Sequence, residues 1–558
     1  MHEMESTSHF FHRFRFFASD PILSPASQDH PQMQKKLQRT VSLAIAILTS
    51  LGIAGSASAG ERPNVVLIVC DDLNDYVEGM EGHPQARTPG LKSLAESGVM
   101  FRRAYSSNPI CAPSRASLFT GLYSHTTKNA GFDPTTKNPV QSGVKMIPEL
   151  FHENGYTTIA AGKVLHYDSE ARNRWPEYVR STDYGPIVWD GKSKRTHPDM
   201  PKPFGDIGRL NGSFGSLANV PYAADGDPAT GWVTEGWRKI PKPWRYVSED
   251  DRDRTPDELT ADWAVEWLKK RGKENSPEPF FITLGFLRPH TPLHAPQKYF
   301  DMFPIDQVQL PVTKANDNDD TYQWVGGSKS IYRLLGKSYP SLEQGLRLFT
   351  QAYLACIASV DEQVARVVTA IDANGLSGNT IIILTSDHGF NMGEKEWVGK
   401  NVLWEESARV PFIVRAPGIT KPGGIAEHPI GLIDLYPTLV DLCGLKGETV
   451  KNEMGRPLDG HSLRPFLIDP SSGRWDGPEA ALTTVNGGGP DTLGHNHSIR
   501  TLRWRYIRYK NGAEELYDHD GDPYEWTNLA ADPAQKSTVQ HLRNMLSAQL
   551  GVKLTNVE

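Results

Sequence analysis

The segment Cys111-Ala112-Pro113-Ser114-Arg115-Ala116-Ser117-Leu118-Phe119-Thr120-Gly121 sets a thiol in a polar, proline-containing turn at the start of a helix, with an arginine one turn on. A reactive group there meets free backbone N–H groups and the positive end of the helix dipole, a setting suited to an anion. Asp71-Asp72 and Asp387-His388 each end a run of apolar residues, Asn64 to Val69 and Thr380 to Leu384. If the two ends converge, their oxygens offer a site for a hard divalent cation, which can hold an anionic ester close to carboxylates; the imidazole leaves room for a softer metal. Three other short segments carry cations and imidazoles: Gly162-Lys163-Val164-Leu165-His166, Arg288-Pro289-His290-Thr291-Pro292-Leu293-His294 and Trp397-Val398-Gly399-Lys400. Taken alone, Lys163, His166 and Lys400 read as solvated surface groups, and Cys111 as a free thiol.

Positioning these groups requires strands that stop at one edge. Asn64 to Val69 reads as a central parallel strand delivering its acids to the carboxyl edge, and Thr380 to Leu384 repeats the design. Between them run a helix-like Thr88 to Ser97, an extended Val99 to Tyr105, a helical Ile147 to Glu153 and a strand-like Thr157 to Ala161. The capping box Thr255-Pro256-Asp257-Glu258 opens a helix with Leu259, Trp263 and Trp267 on one face, and the strand Phe280 to Phe286 follows. This βαβ rhythm predicts an α/β fold with a mostly parallel sheet. Residues 169–253 lose the rhythm and read as an irregular, substrate-facing insertion. After the helix Ile433 to Cys443 and a linker through Gly455, Ser498 to Tyr509 reads as one strand. The Asn511-Gly512 turn then leads to Glu515-Leu516-Tyr517, as a hairpin. The expected division is an extension over 1–59, a catalytic domain over 60–445 and an α+β subdomain with an antiparallel sheet over 446–558.

Composition narrows the function. With 558 residues, 38% of them hydrophobic, the chain can bury a large core. Its 59 basic and 66 acidic residues, net −7, exclude a protein built to neutralise nucleic-acid phosphates. Four cysteines make no disulfide framework: Cys70, Cys356 and Cys443 sit in apolar elements as small hydrophobes, and Cys111 alone lies where chemistry is plausible. Lys35, Lys36 and Arg39, the apolar run Val41 to Ala54 and Ala57-Ser58-Ala59 have the order of a signal peptide. Cleavage after Ala59 and a periplasmic or secreted destination without a stable membrane anchor are expected. Met33 is a second candidate start.

The Cys111–Gly121 segment resembles the signature of the formylglycine-dependent sulfatases. Arg62-Pro63-Asn64-Val65 entering Asp71-Asp72, the Lys163/His166 pair, Arg288-Pro289-His290 and Asp387-His388-Gly389 together look most like iduronate-2-sulfatase and its bacterial relatives, and the C-terminal Glu515-Leu516-Tyr517-Asp518 resembles the usual sulfatase tail. The resemblance covers nearly all of residues 62–530. It implies an alkaline-phosphatase-like α/β sandwich, a sulfated saccharide substrate and a formylglycine-generating or other sulfatase-modifying enzyme as partner. It also implies formylglycine made from Cys111, and calcium bound by Asp71, Asp72, Cys111, Asp387 and His388. Many sulfatases carry Asn where His388 stands, whereas the iduronate-2-sulfatase-like members carry His.

Roles follow from the same resemblance. Arg115, Lys163 and Lys400 bind sulfate oxygens, Asp387 serves as base for the nucleophile, His290 protonates the leaving oxygen, and His166 takes the remaining hydroxyl proton. His294 either lines the pocket or packs. Two rivals remain at this level: a phosphonate monoester or phosphodiester hydrolase of the same superfamily, and a non-catalytic binder of sulfated glycans. The sugar cleaved, with a 2-O-sulfated uronic acid as one expectation, is set by loops and not by these motifs.

Overall fold

The run Asn64–Asp71 is an inner strand of a nine-stranded sheet, in a computed structural model that describes residues 62–220, 230–234, 242–274, 276–322, 330–471, 474–489 and 491–554. The expected leader, with Met33 and the Ala59 cleavage point, lies outside the described residues. Along the sheet the order is Gly424–Ala426, Val99–Tyr105, Arg409–Arg415, Thr380–Ser386, Asn64–Asp71, Phe280–Pro289, Thr157–Gly162 and Glu177–Arg180, with Ile430–Gly431 also paired to Val99–Tyr105. The pairings from Thr380–Ser386 to Glu177–Arg180 are all parallel, while Arg409–Arg415 runs antiparallel to both of its neighbours.

Alternation along the strands builds two cores. Val66, Ile68 and Cys70 face a layer that includes helices Pro89–Glu96, Pro256–Glu274 and Leu342–Ala373. Val65, Leu67 and Val69 face the opposite layer, with Cys111–Thr120, Ile147–Glu153 and Leu435–Cys443. Covered on both faces, these strands carry continuous apolar runs, each fully buried aliphatic side chain contributing about 1.5–3 kcal/mol. The expected capping box forms: Thr255 N–H donates to Glu258 at 2.7 Å and Glu258 N–H to Thr255 Oγ1 at 3.3 Å. Cys70, Cys356 and Cys443 are buried and unpaired. No helix among the described residues is long and apolar enough to cross a membrane.

Two sequence expectations change. The stretch 498–509 is two strands, Asn496–Arg500 and Trp504–Arg508, because Thr501 turns the chain: its N–H donates to the Trp504 carbonyl at 2.9 Å and its Oγ1 accepts from Trp504 N–H at 2.8 Å. These two strands form the middle of a four-stranded antiparallel sheet, flanked by Ala481–Val485 and Glu514–Asp518. Val539, Leu542, Leu546 and Leu550 of helix Lys536–Leu550 cover it at helical spacing. The segment 169–253 is also less irregular than expected. It contains most of helix Asp168–Arg174, the sheet-edge strand Glu177–Arg180 and a small sheet of Lys194–Arg195, Ile187–Trp189 and Gly231–Val233.

A buried ionic network ties the C-terminal sheet to the catalytic layer. Glu405 accepts from Tyr105 Oη at 2.8 Å, from Arg500 at 3.2 Å and from Arg505, while Glu525 accepts from Arg505 and from His519 at 3.0 Å. His497, in the same sheet, is pushed down to about 4 by burial. Its neutral ring therefore stabilises the fold above pH 6.5, and this contribution is lost as pH falls toward 4, because the unfolded chain binds the proton first. Chemical denaturation should show about 2 kcal/mol lost to this group between pH 7 and 5. A His497→Gln variant with an unchanged pH slope would contradict that assignment.

Candidate active site

Four adjacent parallel strands end at one edge, and each delivers chemistry there. Asp71 closes Asn64–Asp71, Lys163 follows Thr157–Gly162, His290 follows Phe280–Pro289, and Asp387-His388 follow Thr380–Ser386. Gly162, at φ +79°, makes the turn to Lys163; a Cβ there would sit 2.1 Å from the Gly285 carbonyl oxygen, so only glycine fits. Asp72, just past its strand, is likewise left-handed at φ +66°. It is held there by Tyr353 Oη, which donates to its carbonyl at 2.6 Å, and by its own N–H, which donates to Asp387 Oδ1 at 3.2 Å. A left-handed aspartate costs conformational energy and is kept only by such surroundings.

Cys111 begins helix Cys111–Thr120 over these strand ends, and it is 3% exposed. Its sulfur lies 3.3 Å from Lys400 Nζ and 3.4 Å from His388 Nε2, and the His166 side chain lies close by. Burial opposes ionisation of this thiol, yet Lys163, Lys400 and His388 hold it well below the usual thiol range. The Lys400 loop is docked against the turn before Cys111, Asn401 N–H donating to the Pro109 carbonyl at 2.8 Å.

Arg115 braces the whole edge. Fully buried, it donates from Nε to Asp387 Oδ2 at 2.8 Å, pairs through Nη2 with Asp71 Oδ1 at 3.4 Å, and donates through Nη1 to the carbonyls of Lys163 and, at 3.1 Å, Val164. Lys163 pairs with Asp71, and Lys400 with Asp72 at 2.6 Å. Burial and the Cys111 sulfur work against ionisation of Asp71, but Lys163, His290 and Arg115 outweigh them and hold it well below the carboxylate range. Burial lifts Asp387 to about 6, with Arg115 opposing.

Ligand atoms of Asp71, Cys111, Asp387 and His388 lie within 4.8 Å of one another, as do those of Asp72, Cys111 and His290. Asp71 Oδ1 and Asp72 Oδ2 are buried and accept no hydrogen bond. His388 Nδ1 sits 3.0 Å from the Gly389 carbonyl, which fixes the proton on that nitrogen and leaves Nε2 as a donor to a metal. Asp72 Oδ2, Asp71 Oδ1 with only its 3.4 Å ion pair to Arg115, and the oriented ring fit a divalent cation. Three buried acids, Asp71, Asp72 and Asp387, are already matched by Arg115, Lys163 and Lys400, so a dication would leave the cluster net positive and receptive to an anion.

All the residues expected from sequence thus converge, except that His294 packs. Buried, it accepts from Ser213 Oγ at 3.0 Å, donates to the Pro186 carbonyl at 3.1 Å and stacks edge-on with Trp232 at 4.9 Å. Sequence reasoning missed Tyr184, from the segment beyond the sheet-edge strand, whose ring meets His290 at 5.2 Å and lies under the Lys163 ammonium at 5.2 Å. It also missed the support of the His290 loop. Asp257, inside the capping box, accepts from the N–H groups of Leu287 at 2.7 Å and Arg288 at 2.9 Å. Arg288 in turn donates to the carbonyls of His290 and His294, both at 2.9 Å.

The sulfatase family profile matches residues 63–445. The chain is a sulfatase. A second profile, N-sulphoglucosamine sulphohydrolase, C-terminal, matches residues 393–551 and so takes in the C-terminal sheet of this sulfatase. A sulfatase of Formosa agariphila is 30% identical over 504 residues, covering 87% of this chain and 86% of the relative. Iduronate 2-sulfatase of Mus musculus is 28% identical over 590 residues, covering 92% and 99%. Among solved structures, the phosphonate monoester hydrolase of Agrobacterium radiobacter is similar in fold, with TM-score 0.62 at 22% identity, covering 88% of this chain and 96% of that one. The architecture is the alkaline-phosphatase-like one. As a sulfatase the protein is a sulfuric ester hydrolase, and its family implies a metal ion and a formylglycine.

Proposed function

We propose that this sulfatase is exported and hydrolyses sulfate esters of carbohydrates, using formylglycine derived from Cys111 by a modifying enzyme, beside a calcium ion held by Asp71, Asp72, Asp387 and His388. The observation that carries the reading is the Cys111 side chain at a helix start, facing Lys400 and His388 within 3.4 Å above a balanced nest of buried acids and cations. The likeness to an enzyme named iduronate 2-sulfatase supports a sulfated saccharide, with a 2-O-sulfated uronic acid as the first substrate to try.

Formylglycine supplies a geminal diol as nucleophile, and calcium supplies Lewis-acid charge at the sulfate oxygens. The remaining work falls to the side chains present. Lys163 and Lys400 neutralise the sulfate oxygens, and Arg115, anchored to Asp71 and Asp387, adds positive charge from beneath while keeping both carboxylates in place. Asp387, lifted by burial, is suited to take a proton from the nucleophile. His290 donates from Nδ1 to the Thr291 carbonyl at 2.5 Å, so its Nε2 is the nitrogen that protonates the leaving oxygen. His166, near the Cys111 side chain, is assigned the second hydroxyl proton.

The test is comparative turnover. Matched aryl sulfate, phosphate diester and phosphonate monoester are offered to the modified enzyme, followed by defined sulfated disaccharides. Sulfate release should exceed the phosphorus reactions by about 100-fold or more in kcat/KM, the scale set by roughly 3 kcal/mol of selective transition-state binding. Faster phosphonate cleavage would replace this reading with the rival one, and absence of any turnover by fully modified enzyme would favour a binder.

A further inference from the structure

Away from the catalytic edge lies a cavity of about 550 Å³ whose lining includes His197, Gly215, Asn219, Phe300, Asp301 and Tyr339. His197 is 2% exposed, and its Nδ1 accepts from Asp199 N–H at 3.2 Å, so the proton of the neutral ring is on Nε2. Burial, only partly opposed by Asp199, pushes this imidazole down and keeps it neutral. That Nε2–H has no acceptor among the described residues, although a buried donor ordinarily has one. It faces the wall where Gly215, at φ +138°, carries no side chain: a Cβ there would stand 3.8 Å from Nε2. Phe300 and Tyr339 supply apolar ring surface, and the exposed Asn219 and Asp301 supply polar atoms at the rim.

We infer that this cavity is a binding site for an uncharged sugar residue, a neutral unit of the polymer whose sulfate is presented to Cys111. A buried donor, aromatic walls and amide and carboxylate acceptors at the rim match a polyhydroxylated ring. Charge excludes a sulfated or uronic unit: the described lining carries Asp199 and Asp301 and no lysine or arginine, the reverse of the catalytic cluster. The cavity is also coupled to the catalytic loop. Its strand Phe214–Ser216 pairs with Leu293–Ala295, just after His290, and Ser213 links His197 N–H to His294 through two 3.0 Å hydrogen bonds. A sugar held here is therefore seated on the same small sheet that carries the loop of His290.

The inference rests on the carbohydrate reading for the identity of the polymer, and separate readouts distinguish the two. Calorimetric titration of the whole protein with agarotetraose, xylotetraose and cellotetraose should give saturable binding for at least one. Tyr339→Ala should weaken that binding by about tenfold or more, and Asn219→Ala by about threefold, with turnover of a small aryl sulfate unchanged in both. Circular dichroism of each variant checks folding. Absence of binding by all three probes, or binding that survives in both folded variants, would overturn the assignment. So would tighter binding of a sulfated tetrasaccharide that is lost in Tyr339→Ala. Loss of aryl sulfate turnover in the parent enzyme would instead count against the sulfatase mechanism.

Discussion

Replacing Cys111 with alanine is expected to abolish sulfate release, by about 10⁴-fold or more, while leaving the thermal transition near that of the parent. The size of the effect follows from the position of the group: no other thiol or hydroxyl in the cluster touches both Lys400 and His388. The small effect on folding follows from the helix, which is capped by Gly121 at φ +67° and anchored by Leu118 and Phe119 in the core, none of which depends on the sulfur. Alanine also removes a group that Lys163 and Lys400 hold in its charged form, so the two lysines keep their aspartate partners. The intact mass of the parent peptide is the companion measurement. Conversion of the thiol to the aldehyde loses one sulfur and two hydrogens and gains one oxygen. Full activity in the alanine variant, or full activity in a parent that retains the thiol, would refute the proposed nucleophile.

Chelation should be nearly as damaging. Dialysis against a calcium-selective chelator is expected to lower turnover at least about 100-fold, since Lewis-acid charge is worth several kcal/mol, and added calcium should restore it. Asp72 Oδ2, buried with no hydrogen bond, and Asp71 Oδ1, with only a 3.4 Å ion pair to Arg115, make the metal-free cluster costly. Lys163 and Lys400 lie on the other oxygens of the same two residues and so compete with any metal for them. The thermal transition should rise with calcium concentration by mass action, and magnesium should be a poor substitute because it demands tighter octahedral geometry. Removal of the chain's own acid, as in Asp71→Asn, is a harsher change: it leaves the buried Lys163 without its carboxylate and Arg115 with Asp387 alone, at about 3–5 kcal/mol. Chelation is therefore the cleaner test, and unaltered turnover after it would rule the metal out.

The acids of the site were legible because they follow unbroken apolar runs. Val65 to Cys70 and Ile381 to Leu384 are unbroken buried apolar runs, and the acids Asp71, Asp72 and Asp387 stand out at the edge beyond them. Lys163 and Lys400 had no such signal in the residues themselves; only likeness to a family singled them out. Tyr184 was invisible. It follows Glu177–Arg180, whose four residues are exposed or half-buried at the sheet edge and carry no apolar alternation. The hairpin at Thr501 was missed for the opposite reason: alternation continues through both strands, and the break rests on one threonine hydroxyl that no period reports. His294 was undecidable in sequence, since a packed and a catalytic imidazole two residues after a proline look alike until the partners, Ser213 and Pro186, are seen.

Tyr184 reaches the reacting centre from a stretch that the sheet does not need for its own closure, since Glu177–Arg180 is the outermost strand on that side. One aromatic wall beside Lys163 and His290 is thus supplied from outside the strands that carry the reacting groups. A graft of 181–253 from a relative is therefore expected to shift which esters are turned over while the Cys111 chemistry persists, and an unchanged substrate range would contradict a selective role for that stretch.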